Sequence, residues 1–275
     1  MTFCAAGGAN EDDGQLTSWA TAHAPTPVHV NRYAGSAVNG FACSDRIGGM
    51  VVQPAEVVLG LRAWEDAFEG TFEGGHTPRP WVLFDAEKLI RMMLRQSGLA
   101  LEILASPAVV YSRDPLSSEP LDTRALVRAA ITREIVLHYR DVTRSGVQRL
   151  VATESALNAE TAWVHDLFRN LLTGHTLARE AHVCLHLPTL LADHADSEIR
   201  QCFESLEGLP GTDPGTDPGT DPGSTDPGTG FRAQLATCAQ RLHAALEVDQ
   251  AVALARSPLD YAWLNDWLVT RRRAL

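Results

Sequence analysis

The stretch that most constrains this chain is Trp81 to Leu94, where the apolar pattern changes period within a few residues. Trp81 to Phe84 is a continuous apolar run of the length of one buried strand. A helix is predicted at once after it. Ala86, Leu89, Ile90, Met93 and Leu94 fall at helical spacing and make a one-sided apolar stripe. A strand that passes directly into an amphipathic helix buries both by laying the helix back against a sheet.

The flanking residues extend that unit. Val28 to Val30 reads as a short extended run, followed by a turn at Gly35 and Ser36. A second strand is predicted at Gly49 to Val52, stopped by Pro54. A helix is expected from near Pro54 past Leu61 and Trp64, then a loop from Gly70 to Pro80. Ala100 to Leu104 continues the apolar pattern and ends at Ser106-Pro107. Strand, turn, strand, helix, strand, helix predicts an α/β (α+β) fold with a small mixed sheet, over residues 26–115.

From Asp122 the pattern turns helical, so residues 116–275 read as a helical domain. Val127, Ala130, Ile131 and Ile135 form one stripe. Asn158 is placed to cap the next helix, whose buried face is Val164, Leu167, Phe168 and Leu171. Leu187-Pro188 is expected to end the connection that follows. Ser257 as cap, Pro258 and Asp260 announce a last helix, with Leu264, Trp267 and Leu268 facing inward. Residues 1–25 read as a flexible leader. Residues 209–230 carry Gly-Thr-Asp-Pro repeats, which resist both helix and sheet and predict a disordered insert.

Composition narrows the functional classes. With 275 residues, 45% of them hydrophobic and 21% charged, the chain has material for a core domain and a helical partner. No run approaches the ~18–20 apolar residues of a membrane span, and the start lacks the regions of a signal peptide. A cytoplasmic protein is expected. The five cysteines form no C-x-x-C pair, which disfavours a zinc knuckle or a disulfide framework. A net charge of −11 argues against binding extended DNA. His182 and His186 are four apart, but the apolar residues alternate around them as in an extended segment or loop, where the two rings do not converge on one ion.

Three segments carry a resemblance when read together. The first is Gly35-Ser36 through Asp45, then Gly49 to Pro54 and Leu59-Gly60-Leu61. The second is Lys88 to Arg95, then Leu101-Glu102-Ile103-Leu104-Ala105-Ser106-Pro107. The third is Arg169, Leu171, Gly174, Leu177, Arg179, Val183 and Leu187-Pro188, with Asn265 to Val269 at the end. In this order and spacing the chain resembles a family of predicted nucleotidyltransferases of the DNA polymerase β superfamily.

That resemblance implies a site. Gly35 and Ser36 would hold the triphosphate of an NTP with backbone amides and a hydroxyl. Arg46, Arg91 and Arg95 are candidate phosphate contacts, because guanidinium forks suit phosphate oxygens; a solvated helix face is the more ordinary account of such arginines. Paired acids on the next strand and a third acid on its neighbour would hold Mg²⁺. Here this chain departs from the family. The pair belongs between Asp45 and Gly49, where Asp45 stands alone, and the third position is Pro80. Asp85 lies just beyond and is the remaining candidate. Asp45 and Asp85 are thus the expected catalytic and metal-binding residues. The implied activity is transfer of a nucleoside monophosphate from an NTP to a hydroxyl on RNA, protein or a small molecule. The alternative is a degenerate homologue that binds nucleotide or a protein partner.

Overall fold

The computed structural model describes residues 28–34, 46–53, 67–72, 79–114, 121–152, 161–194, 196–207, 227–253 and 261–273. The chain forms two compact units. One comprises residues 1–135 and 256–275, the other residues 136–255. The expected leader, the helix beginning near Pro54, and the cap residues Asn158 and Ser257 lie outside the described residues. So do residues 209–226 of the Gly-Thr-Asp-Pro tract.

The first unit is built on a five-stranded sheet in the order β3-β4-β2-β1-β5. The strands are β1 (Val28–Ala34), β2 (Arg46–Val51), β3 (Ala67–Phe72), β4 (Arg79–Asp85) and β5 (Val109–Arg113). β2 and β4 are parallel, and the other neighbours are antiparallel, so the sheet is mixed as expected. The loop expected from Gly70 is shorter than the sequence implied. Gly70, Thr71 and Phe72 pair with Trp81, Pro80 and Arg79 as β3. Backbone pairing along β4 draws them in, although the prolines and glycines of this stretch read as loop. β5 was not anticipated at all.

The centre of the sheet explains two adjacent glycines. A Cβ on Gly49 would sit 2.3 Å from the His29 carbonyl oxygen and 2.6 Å from Leu83 Cδ2. A Cβ on Gly48 would meet the Tyr33 ring at 2.9 Å. Their missing side chains let β1, β2 and β4 close over a core of Val30, Ile47, Met50 and Leu83.

Helix α1 (Ala86–Leu94) follows β4 without a linker, because Asp85 both ends the strand and caps the helix. Its Oδ1 accepts from the Glu87 amide at 2.9 Å. Leu89, Ile90 and Met93 are buried, as the stripe predicted. Helix α2 (Gly98–Ala105) buries Leu101, Ile103 and Leu104. Ser106 fixes its end to the sheet, donating from Oγ to the Arg32 carbonyl at 2.5 Å.

The stripe from Val127 to Ile135 is divided between two helices rather than lying on one. Helix α3 (Arg124–Ala130) ends where Ile131 turns extended. Thr132 Oγ1 then accepts from the Ile135 amide at 3.3 Å and starts α4 (Arg133–Ala152). A threonine that caps competes with helix continuation, which the apolar spacing alone does not reveal.

The second unit packs α4 from Val136 onward with α5 (Thr161–Glu180), α6 (Leu187–His194), α7 (Ser197–Glu207) and α8 (Pro227–Ala253). Val164, Leu167, Phe168 and Leu171 form its core as expected. Leu187-Pro188 opens α6 instead of closing a connection: proline is tolerated in a first turn, where its N–H is not needed. Residues 227–230 already belong to α8, so the helical part begins earlier than a tract reaching 230 implied. Gly174 lets α5 approach α8, with Leu246 2.9 Å from where a Cβ would stand. His175 and Arg179 of α5 both reach Asp249 of α8, at 2.9 and 2.8 Å. The last helix, α9 (Tyr261–Arg273), belongs to the first unit and buries Leu264 and Leu268.

Candidate functional site

The register of the sheet defines two edges. At one, β1 ends at Ala34, directly across from Arg46, the first residue of β2. Residues 35–45, with Gly35, Ser36 and Asp45, connect these two strand ends and lie outside the described residues. β4 begins at the same edge, since Ile47 is the parallel partner of Trp81. The positions at which the resemblance asks for acids therefore sit on adjacent strands. An Asp-x-Asp pair starting at Asp45 would end at position 47, and that residue is Ile47, 2% exposed. The third position, Pro80, precedes Trp81 on β4.

The polar groups described at this edge are Tyr33, Arg46 and Glu102. The register between β1 and β2 shifts between Arg32 and Ala34, leaving Tyr33 in a bulge that aims its ring over Gly48. Burial raises the pKa of the Tyr33 hydroxyl; the Arg46 charge lowers it and the Glu102 charge raises it, for a net upward shift. Arg46 is exposed. It stands at the first position of β2. Tyr33 went unread in the sequence. Its one signal was adjacency to Ala34-Gly35.

Beneath this edge runs a buried polar row on one face of β1. Asn31 Nδ2 lies 3.3 Å from His29 Nε2 and also donates to the Ile103 carbonyl. His29 Nε2 is therefore an acceptor, and Nδ1 carries the proton and donates to Ser112 Oγ at 3.2 Å. Burial lowers the His29 pKa from 6.5 to about 4, so the ring is neutral.

The opposite edge holds the acids. Asp85 pairs in register with Val51, four residues beyond the Ile47–Trp81 pair. That is about 13 Å along the strands. The structure does not bring Asp85 to the edge where Asp45 joins β2. Asp85 is fully buried and has other partners. Arg272 Nη2 donates to its Oδ1 at 2.8 Å, and the Gln53 amide to its Oδ2 at 3.3 Å. Burial raises the Asp85 pKa, and Arg272 with the two amides pulls it partway back. Glu87 accepts from Arg272 Nη1 at 2.9 Å. Partial burial raises the Glu87 pKa, but Arg272 and Arg91 outweigh it and the net shift is downward. Arg271 Nη1 reaches the buried Asp114, which follows β5 at this same edge.

Arg91, a phosphate candidate, is exposed and pairs with Glu87 one helical turn away. Arg95 is the exposed C-cap residue of α1. Neither is tied to the Gly35-Ser36 edge by a described contact. Among the described residues no group of three or more His, Cys, Asp or Glu is arranged to hold a metal ion. Likewise, among them no helix is long and apolar enough to cross a membrane.

A small mixed sheet with helices packed on it defines an α+β protein. More narrowly, residues 18–207, over half of the chain, match the model of the RNA repair pathway DNA polymerase beta family, and the chain belongs to that family. No curated protein matches it. Among solved structures it is similar to a nucleotidyltransferase-like protein from Exiguobacterium sibiricum 255-15, with 12% identity, 96% of this chain and 87% of that chain covered, and a TM-score of 0.31.

Proposed function

We propose that this chain binds a nucleoside triphosphate at the edge formed by Gly35, Ser36 and Arg46, without the two-metal chemistry of its superfamily. One observation carries the reading. The strand positions that should bear the metal-binding acids are adjacent at that edge, and they are Ile47 and the Pro80-Trp81 start of β4. Asp85, the remaining candidate, stands at the other edge and is bound to Arg272. Mg²⁺ demands several hard oxygen ligands in near-octahedral geometry, and Asp45 alone does not meet that demand for two ions. The residues therefore do not fit a two-ion site. The phosphates would instead be neutralised by backbone amides, the Ser36 hydroxyl and the Arg46 guanidinium. The family description ties its members to RNA repair, which favours RNA, or an RNA-repair protein, as the partner.

Calorimetric titration of the full chain with ATP and GTP, in EDTA and in Mg²⁺, tests this. The expected result is binding in EDTA, no pyrophosphate release in Mg²⁺, and affinity weakened about tenfold by Ser36→Ala. Pyrophosphate release that needs Mg²⁺ and vanishes in Asp45→Ala would restore the catalytic reading, nucleotidyl transfer to a hydroxyl. No binding under either condition would leave a scaffold with a closed site.

A further inference from the structure

The acids of the second edge are held by a helix from the far end of the chain. Helix α9 lies well beyond residue 207, where the family match ends, yet it belongs to the first unit. Leu264, Leu268 and Arg272 recur every fourth residue and are all buried, so one apolar seam ends in a guanidinium. Arg272 forks to Asp85 and Glu87 at the end of β4. Its neighbour Arg271 reaches Asp114 beyond β5. In the order β3-β4-β2-β1-β5 those strands are three places apart. At strand spacing that is about 14 Å. Two consecutive long side chains thus bridge the edge from β4 to β5.

Asp85 gives this bridge a wider reach. Its carboxylate also accepts from the Gln53 amide, where the chain leaves β2, and from the Glu87 amide in the first turn of α1. One buried carboxylate therefore joins three segments. Its charge is compensated only while Arg272 is seated, because a buried acid stripped of its cation keeps the full cost of desolvation. The crevice beyond the carboxyl ends of parallel strands is a common ligand position in α/β sheets. Here α9 places guanidinium groups there.

We infer that α9 is a strap across the edge opposite the nucleotide turn, and that Arg272, through Asp85, couples its seating to the exit of β2 and the start of α1. This goes beyond the proposed nucleotide binding and does not depend on it.

Hydrogen exchange of the full chain tests the strap without any nucleotide. In Arg272→Ala the amides of α9 should exchange on the order of tenfold faster or more, and those of Gln53 and Glu87 should speed up with them. In Arg271→Ala, which leaves the Arg272–Asp85 pair in place, exchange at Gln53 and Glu87 should rise less than in Arg272→Ala. Arg272→Lys keeps the charge without the fork and should fall between wild type and Arg272→Ala; it serves if the alanine variant does not fold. Unchanged α9 exchange in the Arg272 variants would overturn the strap. Faster exchange confined to α9 would overturn the coupling.

Discussion

The two edges of the sheet carry opposite chemistry. Near the edge bordering Gly35-Ser36 the buried Ile47 pairs with Trp81, and Arg46 is exposed to solvent. At the other, Asp85, Glu87 and Asp114 are each matched by an arginine of α9. The contrast separates two uses of charge in one domain. A charge left in water is available to a ligand and adds little to stability, whereas a charge taken out of water has to be answered by the protein itself.

The largest effect should come from setting one arginine of each edge against the other. Arg272→Ala should cost about 3–5 kcal/mol in denaturant unfolding, because it strands Asp85. Arg46→Ala should stay within about 0.5 kcal/mol, as exposed substitutions do, while weakening ATP binding. Equal losses at the two positions would break the comparison.

Next comes pH. His29 titrates near 6.5 when unfolded and at about 4 when folded. Below pH 6.5 the unfolded chain takes up a proton that the folded ring refuses. The His29 contribution should therefore be full above that pH, fall on acidification, and be gone below pH 4, by about 3 kcal/mol in all. Unfolding curves of His29→Gln across this range should lose most of that slope. A wild-type stability that stays flat from pH 7 to 4 would rule out a neutral buried ring.

The smallest effect sharpens the contrast on one helix. Arg91→Ala removes an exposed pair one turn apart from Glu87, worth about 0.3–0.5 kcal/mol. If Arg91 touches phosphate, the same substitution should lower ATP affinity well beyond that amount, and calorimetry would separate the two roles.

Much of the first unit was legible because its segments obey a local period. The stripe of α1 and the run in β4 came from spacing alone, and Leu89, Ile90 and Met93 are buried where expected. Elements that depend on a distant partner were not legible. β3 and β5 exist because β4 and β1 offer them backbone hydrogen bonds, and strands of six and five residues are too short to show a period of their own. Near the site, the order of Gly35-Ser36 and Asp45 could be read, and so could the single acid where the resemblance asks for a pair. What became of Asp85 could not. Its answer, Arg272, is 187 residues away and sits in a run of arginines that looks like an ordinary helix end.

The triple duty of Asp85 has an evolutionary corollary. Substitutions at Gln53, Glu87 or Arg272 all act on one carboxylate, so their effects should be non-additive, and a drift at one position narrows what the others tolerate. Among the described contacts Arg46 shares no bond with these residues, so its substitution should add independently to theirs.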